Sequence, residues 1–162
     1  MEFNYLAILV AAVVPMVLGF LWYNPKLFGI AWMRESGMTE EKMKSGNMGI
    51  IFGVSFLLSI LLAFFMQFLT IHQTGALGMI GGDPMVEGIL PSYQAFMDDY
   101  GSAFRTYKHG ALHGLLAGIF IVLPVMGTNG LFERKSWKYI FINVGYWTVC
   151  LTIMGAIICG WV

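Results

Sequence analysis

Four stretches of this chain run without a charged side chain for the length of a membrane-spanning helix. They are Phe3 to Pro25 (23 residues), Ser45 to Gly82 (38), His109 to Phe132 (24) and Tyr139 to Val162 (24). About 20 mostly apolar residues cross the hydrocarbon core of a bilayer. Lipid offers backbone N–H and C=O groups no partner outside the segment, so each stretch is predicted to be helical. The spans are placed at residues 4–23, 49–71, 109–126 and 139–160. The chain therefore reads as all-α: an integral membrane four-helix bundle forming a single transmembrane domain over residues 1–162.

The connections carry their own patterns. In residues 24–48, Asn24-Pro25 signals a turn, and Leu27 to Met33 suggests a short amphipathic turn at the interface. Thr39 followed by Glu40 and Glu41 is an N-cap with acids in the first turn, predicting a helix that runs on into span two. In residues 72–108 the first part, 74–91, is rich in Gly and Pro and is predicted to be irregular. After Pro91, Tyr93, Phe96, Met97, Tyr100, Phe104 and Tyr107 recur at helical spacing. This predicts an amphipathic helix, capped by Ser92, continuing into span three. Residues 127–136 are short enough to make spans three and four antiparallel neighbours.

Charge adds an orientation. Seven of the nine Lys and Arg lie in two connections: Lys26, Arg34, Lys42 and Lys44 in the first, and Arg134, Lys135 and Lys138 in the third. The second connection holds only Arg105 and Lys108, beside Asp83, Glu87, Asp98 and Asp99. The positive-inside rule then predicts cytoplasmic loops at 24–48 and 127–138, an outer loop at 72–108, and both termini outside the cytoplasm. Trp22, Tyr23, Trp32, Trp137 and Tyr139 fall near the inner interface, and Tyr5 and Trp161 near the outer one. The expected location is a bacterial inner membrane. The run before span one lacks the basic segment of a signal peptide, so span one is expected to stay in the mature protein. Composition agrees, at 58% hydrophobic, 11% charged and a mean hydropathy of +0.74. The net charge of zero gives no nucleic-acid footprint. Cys150 and Cys159 lie half a turn out of phase on one helix and cannot bridge each other.

Small residues mark the expected helix contacts: Gly110, Gly114 and Gly118 in span three, Ala7, Ala11, Pro15 and Gly19 in span one, and Ser55, Ser59 and Ala63 in span two. They suit packing within one bundle or a homo-oligomer, and a larger membrane complex is also open. Pro15 is expected to kink span one, with the freed carbonyl covered by a neighbour. Gln67, Thr70, Asn143, Thr148 and Thr152 need hydrogen-bond partners in lipid, expected across helices.

Two constellations could carry chemistry. His109 and His113 are one turn apart and can reach one ion from the same helix face. His72, at the end of span two, could complete a three-ligand site for a metal ion or haem. The competing reading is interfacial histidines that are solvated or bonded to a carbonyl. Second, on a continuous helix Asp98, Ser102, Arg105, His109 and His113 form a polar stripe opposite the aromatic face. The stripe reads as the mouth of a site for a small ligand or ion, or as the solvated side of an interfacial helix. No catalytic residue is identifiable. Walker, GxSxG, CxxC and dinucleotide motifs are absent, as is the HExxH pairing. This leans against an enzyme and towards ligand or ion binding, transport or an accessory role, with a metal- or haem-dependent enzyme as the alternative.

The stretches GFLWYNPKLFGIAW (Gly19 to Trp32), GMTEE (Gly37 to Glu41) and NGLFERKSWKYIFINVGYW (Asn129 to Trp147), with the Gly155 to Trp161 tail, resemble the bacterial membrane family known as domain of unknown function 1761. The resemblance covers most of the chain apart from the outer loop. It implies a small four-span protein and transfers no activity and no catalytic residue. It also implies that the cytoplasmic motifs characterise the family more than the histidines do.

Overall fold

A computed structural model describes residues 4–83 and 90–162. Among these there is no strand. Four helical spans, each long and apolar enough to cross a membrane, follow the predicted order: α1 (Tyr5–Trp22), α4 (Met48–Thr70), the helical run Tyr107–Phe132, and α9 (Trp137–Gly160). The third span has three parts: α7 (Tyr107–Ala117), a π-helical turn (Gly118–Val122) and α8 (Leu123–Phe132). Short helices α2 (Gly29–Ser36), α3 (Glu40–Ser45), α5 (Gln73–Met79) and α6 (Pro91–Tyr100) fill the connections.

Span four is the centre of the bundle. Half of its most apolar window is buried, against 11% for span two. Its Tyr146, Cys150, Leu151, Met154 and Ile158 meet Ile8, Ala11 and Ala12 of span one, Ala63 and Met66 of span two, and Ala117 of span three. The many large apolar side chains left outside, Leu57, Phe65 and Phe120 among them, suit a lipid-facing surface. The closest contact is between spans three and four. A Cβ at Gly110 would overlap the Gly155 carbonyl, and one at Gly155 would overlap the Gly110 carbonyl. One at Gly114 would strike the Leu151 carbonyl, and one at Gly118 the Thr148 side chain. The predicted glycine ridge is thus used inside the chain, backbone against backbone.

Several connections depart from expectation. The helix capped by Thr39 stops at Ser45, Gly46 is extended, and Asn47 caps span two afresh. The chain is therefore broken between α3 and span two. Residues 73–79 are helical rather than irregular, while Pro84, Glu87 and Gly88 lie outside the described residues. The helix after Pro91 begins with that proline at its first turn, not with Ser92 as cap, and ends at Tyr100. Span three runs on to Phe132, where Gly130 packs against Ile140. Span one stays helical through Pro15, and the Tyr146 hydroxyl donates to Pro15's own carbonyl at 2.7 Å. The buried polar groups mostly bond within their own helices. Thr70, Thr148 and Thr152 donate to the carbonyl four residues back, as short polar side chains do when no closer partner offers. Asn143 is the exception, accepting from the hydroxyl of Tyr23, the residue that caps span one, at 2.9 Å.

That end of the bundle is tied further by Trp22, whose ring N–H donates to the Ile142 carbonyl. The Ser136 hydroxyl donates to Glu35 at 2.7 Å. This bond, helped by Arg34, holds the half-buried Glu35 carboxyl below its ordinary range.

If the glycine seam sets the bundle, Gly114→Ala should lower the thermal unfolding temperature in detergent. The cost is that of an overpacked core, about 1–3 kcal/mol. Gly53→Ala, where a Cβ meets nothing within 4 Å, should leave it unchanged or raise it. Equal melting of the two variants would contradict the seam's role.

Candidate functional site

The three histidines meet at one end of the bundle. Span two stops at Thr70, and Ile71 takes an extended conformation, which turns His72 into the N-cap position of α5. On the opposite arm, the Thr106 hydroxyl accepts from the His109 N–H and starts α7. His109 and His113 then project one turn apart, while Gly110 and Gly114 lie against span four. The two arms bring the Nε2 atoms of His72 and His109 to 2.9 Å. Ring centroids are 4.8 Å apart for His72 and His109, 5.1 Å for His72 and His113, and 4.5 Å for His109 and His113. One ring nitrogen from each residue lies within 4.8 Å of the other two. His72 is exposed and the others are half-buried. The Leu69 main chain lies beside the His113 ring.

Among the described residues no Asp, Glu or Cys joins this cluster. The stripe anticipated from a continuous helix is not formed as drawn, because α6 and α7 are separate. Asp98 is exposed on α6 and accepts from Gln94 at 2.8 Å. Ser102 is exposed in the turn between the helices. The Arg105 guanidinium turns back to donate to the Cys159 carbonyl at 3.0 Å. Of the five stripe residues, only His109 and His113 belong to the convergent group.

Three further residues support the group. Phe104, placed by spacing on an aromatic face, adopts a φ of 62° in the turn before α7. Its ring stands 5.8 Å from that of His72 and 5.1 Å from that of His109. Cys159, too far out of phase to bridge Cys150, is fully buried, and its thiol donates to the carbonyls of Thr70 (3.3 Å) and Phe104 (3.4 Å). One side chain of span four thus touches both histidine-bearing arms. Gln73, beside His72, donates to the carbonyls of Tyr100 and Ala103 at 2.6 and 2.9 Å, clamping the same turn. A positive φ at a Phe leaves no trace in a sequence; the two successive polar neighbours, His72-Gln73, are the only local signal.

The model of the family described as Protein of unknown function (DUF1761) matches residues 6–159. The chain belongs to this family. Neither the curated proteins nor the solved structures contain a match. The DUF1761 match takes in both ends of the bundle: the Trp22, Tyr23 and Asn143 ties at one and the histidine group at the other.

The left-handed backbone at Phe104 makes a specific prediction. Phe104→Gly removes the ring but relieves the backbone, whereas Phe104→Ala removes the ring and keeps the strain. The Ala variant should therefore be the less stable by about 1–2 kcal/mol in thermal unfolding. A helical position would give the opposite order, and so would a Phe104 that is not left-handed.

Proposed function

We propose that this DUF1761 protein binds a divalent transition-metal ion through His72, His109 and His113. One observation carries the reading: three imidazole nitrogens from two separate arms lie within 4.8 Å of one another. A single point then lies within about 3 Å of all three, against zinc–nitrogen bonds of about 2.0–2.1 Å. Small side-chain rotations close that difference. Imidazole ligands suit zinc, copper, nickel or iron. The 2.9 Å between His72 and His109 leaves no room for a macrocycle between them, which favours a bare ion over a haem. Three ligands leave a fourth position vacant, as in zinc sites that hold a water or substrate. Ion binding thus agrees with a ligand-binding or transport role, and the vacant position keeps a metal-dependent reaction as the second reading.

Metal uptake requires neutral imidazoles, so binding should fade as the solution is made acidic and protons compete for the ring nitrogens. Calorimetric titration with zinc at neutral pH is expected to give one site per chain. Each of His72→Ala, His109→Ala and His113→Ala should weaken it at least about tenfold. Unaltered affinity in all three variants would remove the site.

The setting follows from charge. Lys and Arg concentrate in the connections at the other end of the bundle, which supports a bacterial inner-membrane protein with both termini and the histidine group outside the cytoplasm. Its partners on this reading are the bilayer and further copies of the chain, span two being the least buried. A C-terminal alkaline phosphatase fusion should be active and a C-terminal fluorescent-protein fusion dark; the reverse pattern would invert the topology.

A further inference from the structure

The histidine group stands at the head of an apolar groove. Span two packs against α7, the first part of span three, and the two part beyond it. The parting coincides with the π-helical turn. Pro124 cannot donate to the Phe120 carbonyl, and the Leu123 N–H reaches back to Gly118, one residue further than in an α-helix. Two open apolar pockets adjoin along this seam. The first, about 200 Å³, starts at His113 and passes Leu69, Leu116 and Phe120 to Ile121. The second, about 260 Å³, shares Ile121 and continues past Leu62, Val125 and Met126 to Trp147. From His113 to Met126 the helix descends about 20 Å at 1.5 Å per residue, more than the depth of one leaflet.

We propose that the fourth position of the histidine site takes the carboxylate of a long-chain fatty acid, with its acyl chain lying in this groove. This occupant presupposes the metal ion proposed above. The chemistry of the donors selects the head group. Three neutral imidazoles bring no negative charge to a divalent cation, and among the described residues no carboxylate joins them. A cation left uncompensated beside a low-dielectric slab attracts an anion strongly. The groove selects the tail, since its lining from Leu69 to Trp147 offers almost no polar surface. The two pockets follow one helix seam and share Ile121, which suits one acyl chain better than the two of a phospholipid. His72 is the exposed member of the group, leaving the head position open to water and to entering ligands.

The test uses the full chain in maltoside micelles, loaded with cobalt(II), whose visible bands report the ligands of the ion. Acetate, octanoate, palmitate and dioleoyl phosphatidylglycerol are titrated in turn. Palmitate is expected to shift the bands with a half-saturation roughly a hundredfold below that of acetate, because each buried CH₂ adds to affinity. Ile121→Trp and Val125→Trp should block the groove, leave the starting cobalt spectrum intact and erase the gain from chain length. Comparison with these variants also removes the effect of fatty acid partitioning into the micelle. Bands that no carboxylate moves, equal half-saturation for acetate and palmitate, or a chain-length gain that survives both blocks would overturn the proposal. A shift by the phospholipid matching that of palmitate would assign the groove to phospholipid instead. Failure of cobalt to bind at all would remove the metal reading, and this one with it.

Discussion

Everything at the histidine end depends on how closely spans three and four approach. Gly110 and Gly155 present bare backbone to each other, and Gly114 does the same to the Leu151 carbonyl. In lipid there is no hydrophobic drive between helices, so close van der Waals contact must hold them together. That contact fixes the rotation of α7 about its axis. With the glycines turned to span four, His109 and His113 turn towards the end of span two. Their convergence with His72 follows from the glycine spacing. Gly160, where a Cβ would fall 2.6 Å from Tyr107, extends the same seam to the first turn of α7.

Span four therefore acts as the ruler for both arms. Cys159 contacts Thr70 and Phe104 through its thiol and Arg105 through its carbonyl. A thiol has one proton, so the two acceptors share it, and each bond is weak. The weight falls on the charge-assisted Arg105 bond, which is roughly twice as strong as a neutral one. Arg105 looks out of place for a basic residue on the less positive side of the chain. Its position is explained by the carbonyl it serves at the end of α9.

The spans were legible because their signal is length without charge, and that signal does not depend on partners. The glycine ridge was legible for a similar reason: small residues four apart admit little other use in lipid. The histidine pair could be read from its spacing, and the structure brings His72 beside it. What failed was continuity. An i, i+4 series from Asp98 to His113 fits a helix on paper, but the chain turns at residues 101–106. The cause is Thr106, a cap that outcompetes helix continuation by binding the His109 N–H. The break between α3 and span two has the same physics, with Asn47 accepting from Ile50. A mid-pattern Thr or Asn is ambiguous in sequence, and only the tertiary surroundings decide whether it caps or continues. Phe104 was misplaced for that reason too, because its ring follows the turn and not the helix.

The two ends of the bundle are built differently, and the difference bears on function. At one end Trp22, Tyr23, Asn143 and Tyr146 join spans one and four by direct hydrogen bonds, and α2 is tethered through Glu35. Those groups find their partners within the chain. At the other end the histidines are satisfied only in part. The 2.9 Å contact uses one nitrogen each of His72 and His109, and one of the two must donate while the other accepts. No such bond joins the His113 ring to either of them among the described contacts. Three imidazoles held edge to edge by a strained turn and a buried thiol gain little from one shared proton. An ion at their common point would engage all three at once, which gives the strain at Phe104 something to hold in place.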